Sequence, residues 1–205
     1  MDEREHGTDS PDFEEPEPLR VRRSSDLHDA GLTRRGVERE LRTGRIERVR
    51  RGIYVPPTDD DEVRWRQKLA ANLEYGGACS ALSHRCAAYL HHFDGYLGLP
   101  IAERSEDLSV RRSSAFRTSP AIRVRQLDPT DVVAIAGFAV TSVRRTLADL
   151  GRFIAPDDVE LALESALRLD PSRPDEWREP LLAELLTLVG TGGRGRTGLA
   201  ALRMS

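Results

Sequence analysis

Apolar residues recur at two spacings along this chain, and each spacing predicts one kind of element. Trp65, Leu69 and Leu73 lie four residues apart and form one stripe on a helix predicted over 62–75. The next helix has Ser83 as its predicted N-cap. Further helices are predicted over 84–92, 143–150, 157–169 and 176–189, with a last short helix from Thr197.

Short β-prone segments lie between the helices predicted at 84–92 and 143–150. The four predicted strands are 108–111, 122–127, 132–135 and 138–141. Gly137 supplies a turn between the last two strands. Residues 59–189 are therefore predicted to form a mixed α/β domain.

The N-terminal segment has the signals of two short helices joined by a tight connection. The first helix is predicted to end at Gly31, because glycine adopts the left-handed conformation that closes many helices. Thr33 is the predicted N-cap of a second helix over 34–43. Leu32 before the cap and Val37 inside the helix have the spacing of a hydrophobic staple.

Formal charge divides the N-terminal part of the chain into two blocks. Residues 1–18 hold eight acidic residues and Arg4, a net charge of −7, whereas residues 19–55 hold eleven arginines and five acidic residues, a net charge of +6. Prolines and a lack of apolar residues predict that residues 1–19 are a disordered acidic tail. Tethered to the basic block, this tail either competes with DNA for that block or serves only solubility.

The second helix has an apolar side and a basic side. At about 100° per residue, Val37 and Leu41 share one side. Arg35, Arg39 and Arg42 lie together on the opposite side. The apolar side can pack on a core while three guanidinium groups project outward, as a recognition helix in the DNA major groove requires. Arginine pairs with phosphate and with O6 and N7 of guanine.

A basic hairpin is predicted directly after this helix. Two β-prone segments within 45–55 flank Arg50-Arg51-Gly52, and a hairpin in this position is a wing that contacts backbone phosphates. A winged helix-turn-helix is therefore predicted over 20–56. The alternative is a solvated basic face on a structural pair of helices. The predicted DNA-contacting residues are Thr33, Arg34, Arg35, Arg39, Arg42, Arg45, Arg48, Arg50 and Arg51.

The same segments resemble a known family. The run 30–35, the pair Gly44-Arg45 and the run 51–55 resemble the N-terminal winged helix of AbiEi-type antitoxins, which belong to type IV toxin–antitoxin pairs. The resemblance covers about residues 24–203 and implies a transcriptional repressor of its own operon. It also implies opposition to a nucleotidyltransferase-like toxin encoded nearby. Further matching runs are 83–88, 137–142 and 145–150.

Two departures from the family pattern qualify this expectation. Relatives carry a full helix before the region of Ser25, where this chain has Pro16 and Pro18, so the first helix is expected to be missing or replaced. Some relatives continue, after a segment like 196–202, into a domain that resembles very-short-patch-repair endonucleases. This chain stops at Ser205, and that domain is expected to be absent.

No catalytic, cofactor or metal site is predicted. The run 190–195 matches G-x-G-x-x-G, but leucines at helical spacing precede it instead of a strand, so 190–205 is predicted to be a glycine-rich loop and a short terminal helix. His84 and His91 would stand about 10.5 Å apart along a helix, too far to share one ion. The chain has no G-x-S-x-G or E-x-K motif, so it is not expected to be an enzyme.

The cysteines and the hydropathy pattern predict the compartment. Cys79 and Cys86 are expected to be free, buried thiols in a reducing cytoplasm, and no apolar stretch is long enough for a membrane span.

The predicted fold class is α+β, with a winged helix-turn-helix followed by a mixed α/β domain and C-terminal helices. The predicted function is DNA binding and repression, with the chain's own operator as the double-stranded partner. One alternative is a protein-interaction module that binds a toxin or another partner through its second domain and has a vestigial winged helix. The other alternative is a non-catalytic remnant of a nuclease-fused relative.

Overall fold

The computed structural model of the protein describes residues 19–111, 122–125, 127–152 and 154–168, with Glu179 and Ala183. Over these residues the fold is α+β, which confirms the predicted fold class. The predicted acidic tail to residue 18, the rest of the helix predicted over 176–189 and the glycine-rich segment lie outside the described residues. The strands are β1 (Arg22–Arg23), β2 (Glu47–Arg50), β3 (Ile53–Val55), β4 (Ser80–Leu82), β5 (Leu108–Arg111), β6 (Ile122–Arg125), β7 (Val132–Ile135) and β8 (Phe138–Thr141). The helices are α1 (Ser24–Asp29), α2 (Arg34–Arg42), α3 (Asp61–Gly76), α4 (His84–Leu90), α5 (Val143–Leu150) and α6 (Pro156–Arg168).

A small apolar core holds α1 and α2 against a three-stranded sheet. Leu27 of α1, Val37 of α2 and Tyr54 of β3 are buried together. The sheet has the order β1-β3-β2, and both of its strand pairs are antiparallel. Leu32, Leu41 and Ile46 pack around this core as partly buried residues.

The connection between α1 and α2 follows the predicted capping signals. Gly31 has φ +85°, and the following amide, that of Leu32, donates to the carbonyl of Leu27 at 2.9 Å. This bond closes α1 in the manner of a Schellman motif, which needs a residue without a side chain at Gly31. At the start of α2, Thr33 Oγ1 accepts a hydrogen bond from the amide of Gly36 at 3.2 Å, which confirms the predicted N-cap.

Five strands form a second, mixed sheet in the order β6-β5-β4-β8-β7. β4 pairs antiparallel with β5 and parallel with β8, so it lies at the centre. β5 and β6 are parallel, whereas β7 and β8 form a hairpin. Gly137 turns this hairpin with φ +79°, in agreement with the prediction.

Two strands, β1 and β4, stand where the sequence predicts none. β4 is Ser80-Ala81-Leu82, which has no β-branched or aromatic residue, and β1 is a pair of arginines with exposed side chains. Both strands exist because of pairing with segments distant in the sequence.

The second sheet packs against α3 and α4 through one core. Trp65 and Leu69 of α3 are buried beside Leu82, Leu108 and Val140 of the sheet, which confirms the predicted stripe on α3. A further core joins α4 and the segment after it to α5 and α6.

Two side chains near α4 differ from their predicted environments. Cys79 is exposed, so the expectation of two buried thiols is wrong for this residue, whereas Cys86 is fully buried. Ser83 precedes α4 as predicted, but its hydroxyl does not cap the helix. The hydroxyl instead bonds to His84 Nδ1 at 2.8 Å and accepts from Ser109 Oγ at 2.9 Å.

A buried ionic network joins α5 to the start of β7. Arg145 Nε donates to Asp149 at 2.9 Å, and its Nη1 donates to Asp131 at 2.9 Å. Arg144 reaches Asp131 at 2.9 Å and Arg152 reaches Asp149 at 3.3 Å. Each buried carboxylate therefore has two guanidinium partners, as burial of charge requires.

His91 gives the fold a pH dependence. Its Nε2 donates to the carbonyl of Thr141 at 2.7 Å, and burial lowers the pKa of His91 although this bond opposes the shift. Because the unfolded chain then binds a proton more readily than the folded chain, stability should fall as the pH drops below about 6.5. The loss should reach up to about 1.4 kcal/mol per pH unit.

Urea unfolding between neutral and mildly acidic pH checks this expectation. The variant His91→Gln keeps an N–H donor for Thr141 and should show a flatter pH dependence than the wild type. His92→Asn removes the smallest of the three influences on the pKa of His91, so it should flatten the dependence less than His91→Gln does. If the free energy of unfolding depends on pH equally in the wild type and in His91→Gln, His91 is not the cause of that dependence.

None of the helices among the described residues is long and apolar enough to cross a lipid bilayer.

Candidate nucleic-acid interface

Three arginines form an exposed ridge along α2. The side chains of Arg35, Arg39 and Arg42 are exposed, whereas Val37 on the opposite side is 7% exposed and Leu41 is partly buried. None of the three guanidinium groups forms a hydrogen bond or ion pair with another residue in the described part of the chain. The N–H donors of the ridge, defined by these three arginines, therefore have no acceptor among the described residues.

Two further arginines of the predicted site are engaged in weak surface ion pairs. Arg34 Nε lies 3.3 Å from Glu38 Oε1, and Arg45 Nη1 lies 3.3 Å from Glu40 Oε1. The side chain of Arg34 is 91% exposed. Exposed pairs of this kind contribute about 0–1 kcal/mol, so either arginine can exchange its carboxylate for a phosphate.

The predicted hairpin is present, with a two-residue tip. Arg51 and Gly52 connect β2 to β3, and Gly52 has φ +76°. The side chains of Arg48 and Arg51 are exposed and have no partner among the described residues. The hairpin therefore adds two available guanidinium groups to those of the ridge.

Arg50, one of the predicted phosphate contacts, has a partner inside the protein. Its Nε donates to Oδ1 of Asn72 at 2.7 Å, and Asn72 is 1% exposed. Nδ2 of the same amide donates to the backbone oxygen of Glu106 at 3.1 Å. Arg50 consequently joins the hairpin to α3.

Other contacts fix the same junction between the N-terminal unit and α3. Gln67 Nε2 donates to the carbonyl of Pro56 at 3.1 Å, and Arg23 forms an ion pair with Glu74. The sequence-based site omits these residues. The signal that could have found two of them is a polar side chain on the buried side of a helix, since Gln67 and Asn72 are both buried.

The contributions of Arg50 and Asn72 to the free energy of unfolding should be strongly coupled. A double-mutant cycle with Arg50→Ala, Asn72→Ala and both together should give a coupling energy of about 1.5–3 kcal/mol, the range for buried hydrogen bonds to charged groups. Urea unfolding of the four proteins measures it. Additive losses would mean that the contact contributes nothing to stability.

Two groups with nucleophilic side chains lie away from this interface. Ser83 and His84 are hydrogen-bonded, but they are 0% and 3% exposed, so a substrate has no access to them. Burial raises the pKa of the Cys86 thiol, and Asp107 and Glu106 raise it further. The thiol is thereby held in its protonated, unreactive form.

The chain matches no protein-family model and none of the curated proteins. Among solved structures it is similar to the RV2827C protein from Mycobacterium tuberculosis, with 19% sequence identity and a TM-score of 0.48. The likeness covers 91% of this chain and 76% of that chain. Similarity of this extent gives no basis for transferring a function.

Proposed function

We propose that the protein binds duplex DNA through α2, with the β2–β3 hairpin as a wing beside it. The observation that carries the proposal is the ridge, because three exposed guanidinium groups on one helix face have no partner within the described chain. Unpaired cations in a row are the arrangement that pairs with phosphates and with base edges.

The dimensions of α2 suit the major groove. An α-helix with its side chains is about 10–12 Å across, and the major groove of B-DNA is about 12 Å wide. The nine residues of α2 extend about 13.5 Å along the helix axis. Arg35 and Arg42 are separated by about 10.5 Å along the axis, which is about three base-pair steps. The ridge is therefore proposed to contact bases over about four consecutive pairs.

The remaining arginines are assigned to the phosphate backbone. Thr33 and Arg34 lie at the N-terminus of α2, where backbone amides and the helix dipole favour an anion. Arg45, Arg48 and Arg51 would contact phosphates along the wing. Arg50 is assigned a positioning role, since it ties the wing to α3.

The biological setting of the proposal rests on the family resemblance. We infer that the protein represses its own operon as the antitoxin of a type IV pair, acts in the cytoplasm, and needs neither catalysis nor a cofactor. A nucleotidyltransferase-like protein encoded beside it would be its functional opponent.

Salt-titrated binding to the DNA upstream of the chain's own reading frame tests the proposal. The four arginines assigned to phosphates should give a slope of about −3 to −4 in log K against log salt. A scrambled duplex of equal length should bind more weakly at every salt concentration. No binding at about 50 mM salt, or equal affinity for both duplexes, would count against sequence-specific recognition.

The wing should contribute equally to the affinity for every DNA sequence. Arg51→Gln should weaken binding to the upstream and scrambled duplexes by the same factor and flatten the salt slope by about one unit. Arg168→Gln, at an exposed position of α6, is the matched control for loss of one charge. An Arg51 variant that behaves like the control would exclude the hairpin from the interface.

A further inference from the structure

A basic cleft lies between the hairpin and α3, next to the proposed wing. Its volume is about 300 Å³; β2 forms one wall and the first half of α3 contributes to the other. The side chains that line it include four that are basic and two that are acidic, a net charge of +2. The charged residues are Arg48, Arg50, Arg64, Lys68, Glu47 and Glu106.

The α3 wall carries two cations one helical turn apart. Arg64 and Lys68 are separated by four residues, so they share one face of the helix. Their side chains are 37% and 43% exposed. Lys68 is the only lysine in the chain. Its flexible stem and compact charge suit a group that changes partners, whereas the planar guanidinium of arginine suits a fixed one.

Glu106 holds Lys68 at the edge of the cleft. Lys68 Nζ lies 3.2 Å from Glu106 Oε1, and the side chain of Glu106 is 29% exposed. A partly exposed pair of this kind contributes little to stability. A phosphate that enters the cleft can therefore draw Lys68 away from Glu106 at small cost.

We propose that this cleft binds a phosphate of the DNA backbone beyond the wing, with Lys68 as its ligand and Glu106 as the partner that Lys68 leaves. The inference rests on the proposed function and extends its interface onto α3. Arg48 supports the extension because it belongs both to the exposed side of the wing and to the lining of the cleft. A backbone that follows the wing past Arg48 therefore reaches the cleft.

Two charge-neutralising variants test the cleft, and they are expected to change the affinity for DNA in opposite directions. Lys68→Gln should lower the affinity for DNA about three- to tenfold and flatten the salt slope by about one unit. Glu106→Gln should raise the affinity, because it removes a repelling charge and frees Lys68. The change in net charge alone also gives opposite signs, so each variant is compared with one that changes the net charge equally elsewhere. Glu160→Gln, at an exposed position of α6, is the control for Glu106→Gln.

The matched control is Arg66→Gln on the same helix. Arg66 is also paired to a carboxylate, that of Glu62 at 3.3 Å, but it lies about 200° around α3 from Lys68. The probe is a mixed-sequence duplex of about three helical turns, followed by fluorescence anisotropy over a range of salt concentrations. Thermal unfolding of each variant verifies that it is folded.

The outcomes separate the cleft from the proposed function. If the wild-type chain does not bind the duplex, the proposed function fails and the cleft fails with it. If the wild type binds but Lys68→Gln matches Arg66→Gln, or Glu106→Gln binds no more tightly than Glu160→Gln, the cleft alone is overturned. A loss for Lys68→Gln beyond that of Arg66→Gln, together with a gain for Glu106→Gln beyond that of Glu160→Gln, supports it.

Discussion

Replacing Asp149 by alanine is expected to lower the free energy of unfolding by about 3–5 kcal/mol. Asp149 is 0% exposed and accepts hydrogen bonds from Arg145 and Arg152. Burial opposes the charge on Arg145, but Asp149 and then Asp131 outweigh that effect and raise the pKa of Arg145. The variant leaves a buried, charged guanidinium without its Asp149 partner, and this is the source of the loss.

Urea unfolding at neutral pH measures this loss, with Asp158→Ala as the control. Asp158 is an exposed carboxylate on α6 and should change the free energy of unfolding by no more than about 0.5 kcal/mol. Because the network lies away from α2, the Asp149 variant should bind DNA normally at temperatures where it is folded. Equal losses for the two variants would show that the buried network does not support the fold.

Removal of the ridge is expected to lower the affinity for the upstream DNA by about 10²-fold or more. Each arginine contact with a base is worth about 1–3 kcal/mol, and the triple variant Arg35→Gln, Arg39→Gln and Arg42→Gln removes three of them. The stability of the fold should change little, because the three side chains are exposed and have no partner in the described chain. Glutamine also has good helix propensity, so α2 is preserved.

A second triple variant separates this effect from loss of net charge. Arg66, Arg85 and Arg168 lie outside α2 and the hairpin, and their replacement by glutamine removes the same three charges. This control should reduce affinity only through the long-range field, which salt screens. If both triple variants lose affinity equally at about 150 mM salt, the ridge has no special role in binding.

Signals encoded within a few residues predicted much of the fold. Gly31, Thr33 and Gly137 each stand where the backbone requires them, because a cap or a turn depends on its immediate neighbours. The exposed ridge could be predicted from the helical period alone. Val37 is buried, so the opposite side of α2, which carries the ridge, must face solvent.

Features that depend on distant residues could not be predicted in this way. β4 is a central strand because β5 and β8 flank it, and its own three residues give no β signal. Arg50 turns toward Asn72, twenty-two residues further along, and nothing in the hairpin sequence distinguishes it from Arg51. The cleft on α3 likewise requires two elements to be brought together.

Methylation interference at guanine N7 tests the major-groove claim most directly, because N7 lies in that groove and accepts the arginine hydrogen bond. With the wild-type chain on its own upstream DNA, methylation of guanines within about four consecutive pairs should block binding. The variant Arg39→Ala should become insensitive at one of these guanines and unchanged at the rest. Binding that N7 methylation leaves unaffected, or an identical pattern for wild type and variant, would contradict recognition by the ridge.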